Sequence, residues 1–106
     1  MARAGGLTEI RRIAAMASAR GIRLAPHAWG SGVLFAASIH VAMSAPNCHI
    51  LEVSQGYMPM MYELFVEPYE IRDGIVYAPT TPGLGFTLRP DALDRFKYIP
   101  GPEFVF

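Results

Sequence analysis

The sequence predicts an α/β fold in which two short strands lie parallel and helices alternate with them. Two helical segments, residues 7–20 and 31–45, are followed by short apolar runs at 22–25 and 49–53. This alternation with short links is typical of a parallel sheet whose strands are joined by right-handed crossovers. Because two parallel strands do not form a stable sheet alone, the pattern predicts part of a larger sheet.

The first predicted helix, residues 7–20, is amphipathic. Its apolar residues recur at helical spacing and form one stripe, made of Ile10, Ile13, Ala14 and Ala17. Thr8 is expected to cap the start of the helix by accepting a backbone N–H bond. Gly21 is expected to end it in the left-handed conformation.

The second predicted helix, residues 31–45, is apolar nearly all round. In a soluble protein, a helix of this kind is buried against more than one neighbour. Pro46 is expected to end this helix, and Pro26 to end the strand that precedes it, since proline has no N–H to donate.

The chain after Gln55 changes to strand-like runs punctuated by proline and glycine, namely ELFVEPYEI, IVYAP and TTPGLGFTL. Asp73 and Gly74 stand between the first two runs and predict a hairpin, because a two-residue turn requires positive φ. A short helix is predicted at 91–96, before a proline-rich end.

Segment 57–62 brings three methionines close to two tyrosines. Such a group forms either a soft binding surface or a gap-filling part of the core. The core is the commoner use of methionine and is the interpretation favoured here.

Composition excludes some partners and suggests others. The 106 residues carry nine basic and nine acidic side chains, so no electrostatic footprint for nucleic acid or an anionic membrane is present. The longest apolar stretch, 33–45, is shorter than the roughly 20 residues of a membrane span. Hydrophobic residues make up 52% of the chain and charged residues 17%, which predicts surface that more protein covers.

The single cysteine, Cys48, has no partner for an internal disulfide, and the sequence shows no secretory leader. These two features predict a reducing, cytoplasmic setting.

His27 and Glu52 are the candidate catalytic residues. In a parallel α/β arrangement the functional end is where strands finish and loops enter helices. His27 follows the first predicted strand and Glu52 lies near the end of the second, so both side chains are expected to reach one pocket. Histidine exchanges protons near neutral pH, and a carboxyl group can hydrogen-bond a substrate acid. From spacing alone, the favoured interpretation is a hydrogen-bonded turn histidine beside a surface glutamate.

Gly30, Ser31 and Gly32 connect the first strand to the second helix in a manner similar to phosphate loops. The stretch is too short for either phosphate-binding motif, and no lysine follows it. A weaker hypothesis is therefore a small anion-binding domain, and the favoured interpretation is Ser31 as a helix cap. A nucleophile elbow is excluded, because Trp29 stands where that motif needs glycine.

His40 and His49 are expected to be structural. With Cys48 and the scattered carboxylates they show no metal-ligand spacing such as H-E-x-x-H or C-x-x-C. No metal site is predicted from the residues of this chain alone.

The order of ARAGGLTEIRRIAAMASARGI, LAPHAWGSG, AASIHVAMSAPN, ILEVSQ and EPYEIRDGIVYAPTTPGLGFTL resembles the carboxy-terminal end of the mandelate racemase and muconate lactonizing enzyme group of the enolase superfamily. The resemblance is strongest to acid-sugar dehydratases and cycloisomerases. It covers nearly the whole chain.

The resemblance implies that residues 1–55 are the last strands and helices of a (β/α)8 TIM barrel. Residues 56–106 are then a β-rich tail with a hairpin that packs toward a capping domain. It also implies that His27 moves the proton α to the carboxylate of a sugar acid, that Glu52 hydrogen-bonds this carboxylate, and that Trp29 lines the pocket. Mg²⁺ is the cofactor of the family.

A complete barrel of this type takes about 250 residues. The Mg²⁺ ligands and the lysine base of the family have no counterpart in this sequence, so the chain is expected to be inactive alone. A second hypothesis is a non-catalytic assembly module that pairs with the remainder of a barrel, or with itself, through exposed apolar faces.

Overall fold

The computed structural model describes residues 1–101. Residues 102–106, the end of the predicted tail, lie outside the described part of the chain. After a short 3₁₀ turn at Ala2–Ala4, the elements follow in the order α1 (Leu7–Ser18), α2 (Gly32–Ser44), α3 (Pro59–Tyr62), β1 (Ile71–Arg72), β2 (Ile75–Val76) and α4 (Ala92–Arg95).

Helix α1 begins two residues earlier than its predicted cap, Thr8, would allow. The backbone N–H of Ile10 bonds to the carbonyl of Gly6 at 3.1 Å, so Gly6 is the N-cap. The prediction that Thr8 caps the helix is wrong, because Thr8 already lies inside the first turn. Ile10 and Ala14 of the predicted stripe are buried, whereas Ile13 remains exposed.

The end of α1 is the predicted glycine turn. Gly21 has a φ of 67°. The N–H of Ile22 bonds to the carbonyl of Ala17 at 2.9 Å, and that of Gly21 bonds to the carbonyl of Ser18 at 3.0 Å. This pair of bonds is the Schellman motif, which satisfies carbonyls that the helix end leaves open.

Helix α2 is the centre of the molecule, as its all-round apolar character predicts. Phe35 and Ile39 are fully buried in one cluster with Ala28 and Met61. Another face carries Ala36 into a second cluster, together with Leu64, Phe65 and Ala92. Each large side chain buried in this way stabilises the fold by about 1.5–3 kcal/mol.

The two predicted strands lie side by side and parallel, but they pair only briefly. Leu24 and Cys48 form an isolated parallel bridge. The N–H of Leu24 bonds to the carbonyl of Asn47 at 2.9 Å, and the N–H of Glu52 bonds to the carbonyl of Pro26 at 3.3 Å. Pro26 cannot donate a bond in return, and within residues 1–101 no third strand extends the pairing.

Asn47 joins this parallel pair to α1. Its side-chain N–H₂ group donates to the carbonyl of Ala14 at 3.2 Å and to that of Ile22 at 3.0 Å. One side chain therefore holds together the first helix, the first strand segment and the start of the second.

The hairpin forms where Asp73 and Gly74 predict it. Strands β1 and β2 are antiparallel, and the two turn residues have φ of 52° and 75°. Outside the hairpin, the strand-like runs pair less than predicted: in the described residues 1–101 they form one isolated antiparallel bridge, between Phe65 and Leu88. Glu67 stabilises this bridge because its carboxylate accepts hydrogen bonds from the backbone N–H and the hydroxyl of Thr87.

Two short helices complete the fold. Helix α4 lies within the predicted 91–96. Helix α3 was not expected from the sequence; it begins with Pro59 and carries Met61 into the core at 0% exposure. The core interpretation of the methionines is confirmed for Met61, whereas Met60 is 43% exposed. No helix in residues 1–101 has the length and apolar character needed to cross a bilayer.

Candidate active site

The candidate residues project from a segment whose side chains alternate between the core and the surface. Pro26 and Ala28 are buried, whereas His27 and Trp29 are exposed. In extended backbone, successive side chains point to opposite faces. Ala28 therefore anchors the segment in the core beneath α2, and its two neighbours share the opposite face.

The structure brings His27 and Glu52 together. The imidazole Nδ1 of His27 lies 2.5 Å from Oε2 of Glu52. Parallel pairing of the two segments produces this contact, since the N–H of Glu52 bonds to the carbonyl of Pro26, the residue just before His27. The predicted proximity of the two side chains is confirmed.

The contact sets the tautomer of the neutral imidazole. An ionised carboxylate only accepts hydrogen bonds. Nδ1 of His27 therefore carries the ring proton and donates a hydrogen bond to Glu52. The other ring nitrogen, Nε2, then holds the lone pair of the neutral ring. It has no hydrogen-bond partner in the described chain. A base with its second nitrogen open is the arrangement that proton transfer requires.

The pair is not needed to hold the fold together. The side chain of His27 is 66% exposed and that of Glu52 is 44% exposed. Exposed ion pairs contribute at most about 1 kcal/mol, because water screens them and both side chains lose rotamer freedom. Their position at the surface leaves the pair accessible to a substrate.

Trp29 lies next to the catalytic candidate. Its ring is stacked on the imidazole of His27, with centroids 5.5 Å apart and planes inclined by 26°. Trp29 is 54% exposed, so much of its surface remains open beside the pair. The three residues selected from the sequence thus form one continuous surface.

The glycine-rich turn after Trp29 acts as a helix start. The side chain of Ser31 accepts the backbone N–H of Leu34 at 3.3 Å, which confirms Ser31 as the N-cap of α2. The cap occupies a position that an anion would take in a phosphate loop. The anion-binding hypothesis therefore finds no support here.

The other histidines lie apart from the site. Nε2 of His40 is 3.1 Å from the carbonyl of Leu84, which ties α2 to the tail and confirms a structural role. His49 is exposed at the start of the second segment. Within residues 1–101, no three ligating side chains of histidine, cysteine, aspartate or glutamate come together.

Tyr69 is a residue near the site that sequence reasoning missed. Its hydroxyl donates to the carbonyl of Gly32 at 2.9 Å, in the first turn of α2. Burial, with a smaller contribution from Tyr62, raises the pKa of the Tyr69 hydroxyl above its usual value. No local pattern signals this contact, because the two residues are 37 positions apart.

These features are those of an α/β domain with an acid-base pair where parallel segments end. Comparison with known proteins specifies the family. Residues 1–92 match the family model described as enolase C-terminal domain-like. The chain belongs to this family.

Relatives among characterised proteins include two enzymes of sugar-acid chemistry. The chain is 37% identical over 106 positions to a D-galactarolactone cycloisomerase of Agrobacterium fabrum, a match that covers 92% of this chain and 28% of the relative. It is 39% identical over 99 positions to a D-galactonate dehydratase family member of Streptomyces bingchenggensis, with coverage of 92% and 24%.

Solved structures give the same picture. A mandelate racemase/muconate lactonizing enzyme from Jannaschia sp. CCS1 superposes with a TM-score of 0.81 at 35% identity, over 94% of this chain and 25% of that one. An enolase superfamily member from Polaromonas sp. JS666 also superposes with a TM-score of 0.81, at 34% identity. This match covers 96% of this chain and 27% of the Polaromonas chain. The chain thus spans about a quarter of the length of these relatives.

Proposed function

We propose that the chain forms the carboxy-terminal part of an enolase-superfamily enzyme that moves a proton at the carbon α to the carboxylate of a sugar acid. The observation that carries the proposal is the contact of 2.5 Å between His27 and Glu52. The names of the relatives, which include a cycloisomerase and several dehydratases of sugar acids, support the substrate class.

His27 is the proposed acid-base group. Glu52 keeps Nδ1 protonated, so Nε2 removes a proton from the α carbon of the substrate or returns one to it. After removal, the imidazolium is stabilised by its hydrogen bond from Nδ1 to Oε2 of Glu52 at the same contact. General acid-base catalysis of this kind contributes about 10²–10⁴-fold to a rate.

Glu52 and Trp29 are the proposed substrate contacts. Only Oε2 of Glu52 is engaged by His27, and Oε1 has no partner in the described residues. When the substrate carboxylate binds, Glu52 is proposed to take up a proton from solvent on Oε1, while Oε2 continues to accept from Nδ1 of His27. Oε1 then donates a hydrogen bond to the substrate carboxylate and to the negative charge that develops there when the α proton leaves. The open surface of Trp29 forms one wall of the pocket and excludes water beside His27.

Mg²⁺ is the cofactor expected from the family. When bound, the ion acts as a Lewis acid on the substrate carboxylate and stabilises developing negative charge. Among residues 1–101, no three side chains of histidine, cysteine, aspartate or glutamate lie together. We place the ligands on other strands of the barrel and assign no step of this chain's chemistry to the ion.

We further propose that residues 1–55 are the last part of a (β/α)8 barrel and that residues 56–106 form the tail that follows it. The parallel pairing of Leu24 with Cys48 and the cover provided by α2 support this division. Without the remaining strands, the chain holds only one side of the pocket. It is therefore proposed to be inactive alone.

Complementation tests this function. The 106-residue chain is combined with the amino-terminal three-quarters of the A. fabrum cycloisomerase, and exchange of the α proton of a galactaro-derived acid is followed by NMR in D₂O with Mg²⁺. Exchange is expected in the mixture and in the His49→Ala control, but not with His27→Ala. Exchange that survives His27→Ala would remove His27 from the mechanism.

A second candidate function is a non-catalytic assembly module. Several large apolar side chains are more than half exposed, among them Met16, Ile22, Met43 and Ile50. Surfaces of this kind mark sites of protein association. Sedimentation of the purified chain distinguishes this candidate, which requires a discrete oligomer without any partner; a folded monomer at every concentration contradicts it.

A further inference from the structure

We infer that Tyr69, a residue of the tail, is a positioning residue for the acid-base group His27. It makes no contact with His27 itself. It acts through the start of α2 and through the buried residue between His27 and Trp29. The inference rests on the proposed function only for its catalytic meaning, since the positioning itself is a property of the free chain.

The first contact is the hydrogen bond to α2. The hydroxyl of Tyr69 donates to the carbonyl of Gly32 at 2.9 Å. Gly32 is the first residue of α2, directly after the cap Ser31 and the turn that carries Trp29. The tail thereby fixes the point at which the site loop enters the helix.

The approach at Gly32 is too close to allow a side chain. A Cβ at this position would lie 2.9 Å from the hydroxyl oxygen of Tyr69, 3.0 Å from the carbonyl oxygen of Met61 and 3.1 Å from the ring of Phe65. The backbone of α2 is therefore held between the tail and α3, and small shifts of Tyr69 are transmitted to it.

The second contact is through the core. Tyr69 packs against the cluster that contains Ala28, and its ring meets that of Phe35 edge to face at 4.7 Å between centroids. Ala28 is fully buried in this cluster. Because Ala28 stands between His27 and Trp29 in extended backbone, its depth in the core sets where both neighbours emerge.

An aromatic frame holds Tyr69 itself. Phe65 and Phe86 face its ring at 6.3 Å and 5.0 Å between centroids, both at steep angles. Edge-to-face pairs of this kind fix ring orientation as well as bury area. The hydroxyl is thus aimed at Gly32 by groups that play no part in the chemistry.

The test uses the full 106-residue chain and replaces one oxygen atom. Tyr69→Phe keeps the ring and removes the hydrogen bond. Trp29 is the only tryptophan, so its indole N–H resonance and fluorescence report on the site. We expect Tyr69→Phe to shift the Trp29 indole and His27 ring resonances. Amide exchange at residues 28–33 is expected to rise about five- to tenfold, the factor that one net hydrogen bond represents.

Tyr77→Phe is the matched control, since Tyr77 is an exposed tyrosine of the same tail whose ring contacts Arg72. It is expected to leave the Trp29 and His27 signals unchanged. A lower melting temperature for Tyr69→Phe with unmoved site signals would assign Tyr69 a purely structural role and overturn the inference. Equal shifts in both variants would also overturn it.

If Tyr69→Phe folds poorly, Gly32→Ala tests the same contact between Tyr69 and α2 from the other side. Gly32→Ala retains the Tyr69 hydroxyl but displaces it, so it is expected to shift the Trp29 indole and His27 ring resonances. If these resonances do not move in a folded variant, the inference is contradicted. None of these measurements uses substrate or metal. Their outcome is therefore independent of the α-proton exchange that tests the proposed function.

Discussion

Nδ1 of His27 lies 2.5 Å from Oε2 of Glu52, although 25 positions separate the two residues in the chain. The contact exists because the segments that carry them run parallel and end at the same level. It gives the imidazole one protonated nitrogen with a fixed partner and one nitrogen open to a reactant. Most of the expected behaviour of the site follows from this asymmetry.

Replacing Glu52 with leucine is expected to remove the preference of His27 for the tautomer that is protonated at Nδ1. Without an acceptor at Nδ1, the neutral ring exchanges between its two protonated forms, so the ¹⁵N shifts of Nδ1 and Nε2 move toward each other. Two-dimensional NMR of the neutral imidazole measures this. Glu9→Leu removes an exposed carboxylate that pairs with Arg12 and is expected to leave the ring shifts in place.

Adding a methyl group at Gly32 is expected to destabilise the fold by about 1–3 kcal/mol, the usual cost of overpacking a filled site. The new Cβ would meet the hydroxyl of Tyr69 and the carbonyl of Met61 at 3.0 Å or less. Urea unfolding of Gly32→Ala gives the free energy directly. Gly56→Ala is the control, because its nearest neighbour, Oγ of Ser54, is 3.8 Å away.

Removing the side chain of Asn47 is expected to cost about 1–3 kcal/mol of unfolding free energy, since two carbonyls lose a donor. The lost bonds are those to Ala14 and Ile22, which join α1 to the parallel pair. Urea unfolding of Asn47→Ala measures the loss. Gln55→Ala, which removes an exposed amide, should change stability by far less, and equal effects would refute the proposed link.

Alkaline pH is expected to weaken the fold through Tyr69. Its pKa is raised in the folded state, so the stability it contributes is complete below the ordinary tyrosine pKa of about 10 and is lost as pH rises toward the folded value. Unfolding free energies at neutral pH and above pH 10 give the slope. Tyr69→Phe should reduce this slope, whereas Tyr77→Phe should not; identical slopes would contradict the assignment.

Local signals were sufficient for helices α1, α2 and α4 and for the hairpin. Gly21 and Ser31 end and start helices as their residue types predict, because each acts on its immediate neighbours. The pairing of His27 with Glu52 followed from one general rule, that parallel segments present their carboxyl ends together.

The features that the sequence did not reveal depend on distant parts of the chain or on very short elements. Helix α3 has a proline at its start, a favourable signal, but four residues are too few to show a helical period. The strand-like runs of the tail are longer in sequence than the pairing they form, because pairing length is set by the partners available and not by apolar character. The bond from Tyr69 to Gly32 has no local signal at all.

The burial of Ala28 affects which residues of the site can be substituted during evolution. Ala28 is the buried residue that fixes the backbone, and its two neighbours, to which we assign the proposed chemical roles, are exposed. Substitutions at His27 and Trp29 can therefore explore new reactions at small cost in stability. Ala28 is 0% exposed, and a larger side chain there is expected to overpack the core, so this small residue limits which descendants of the sequence keep an organised site.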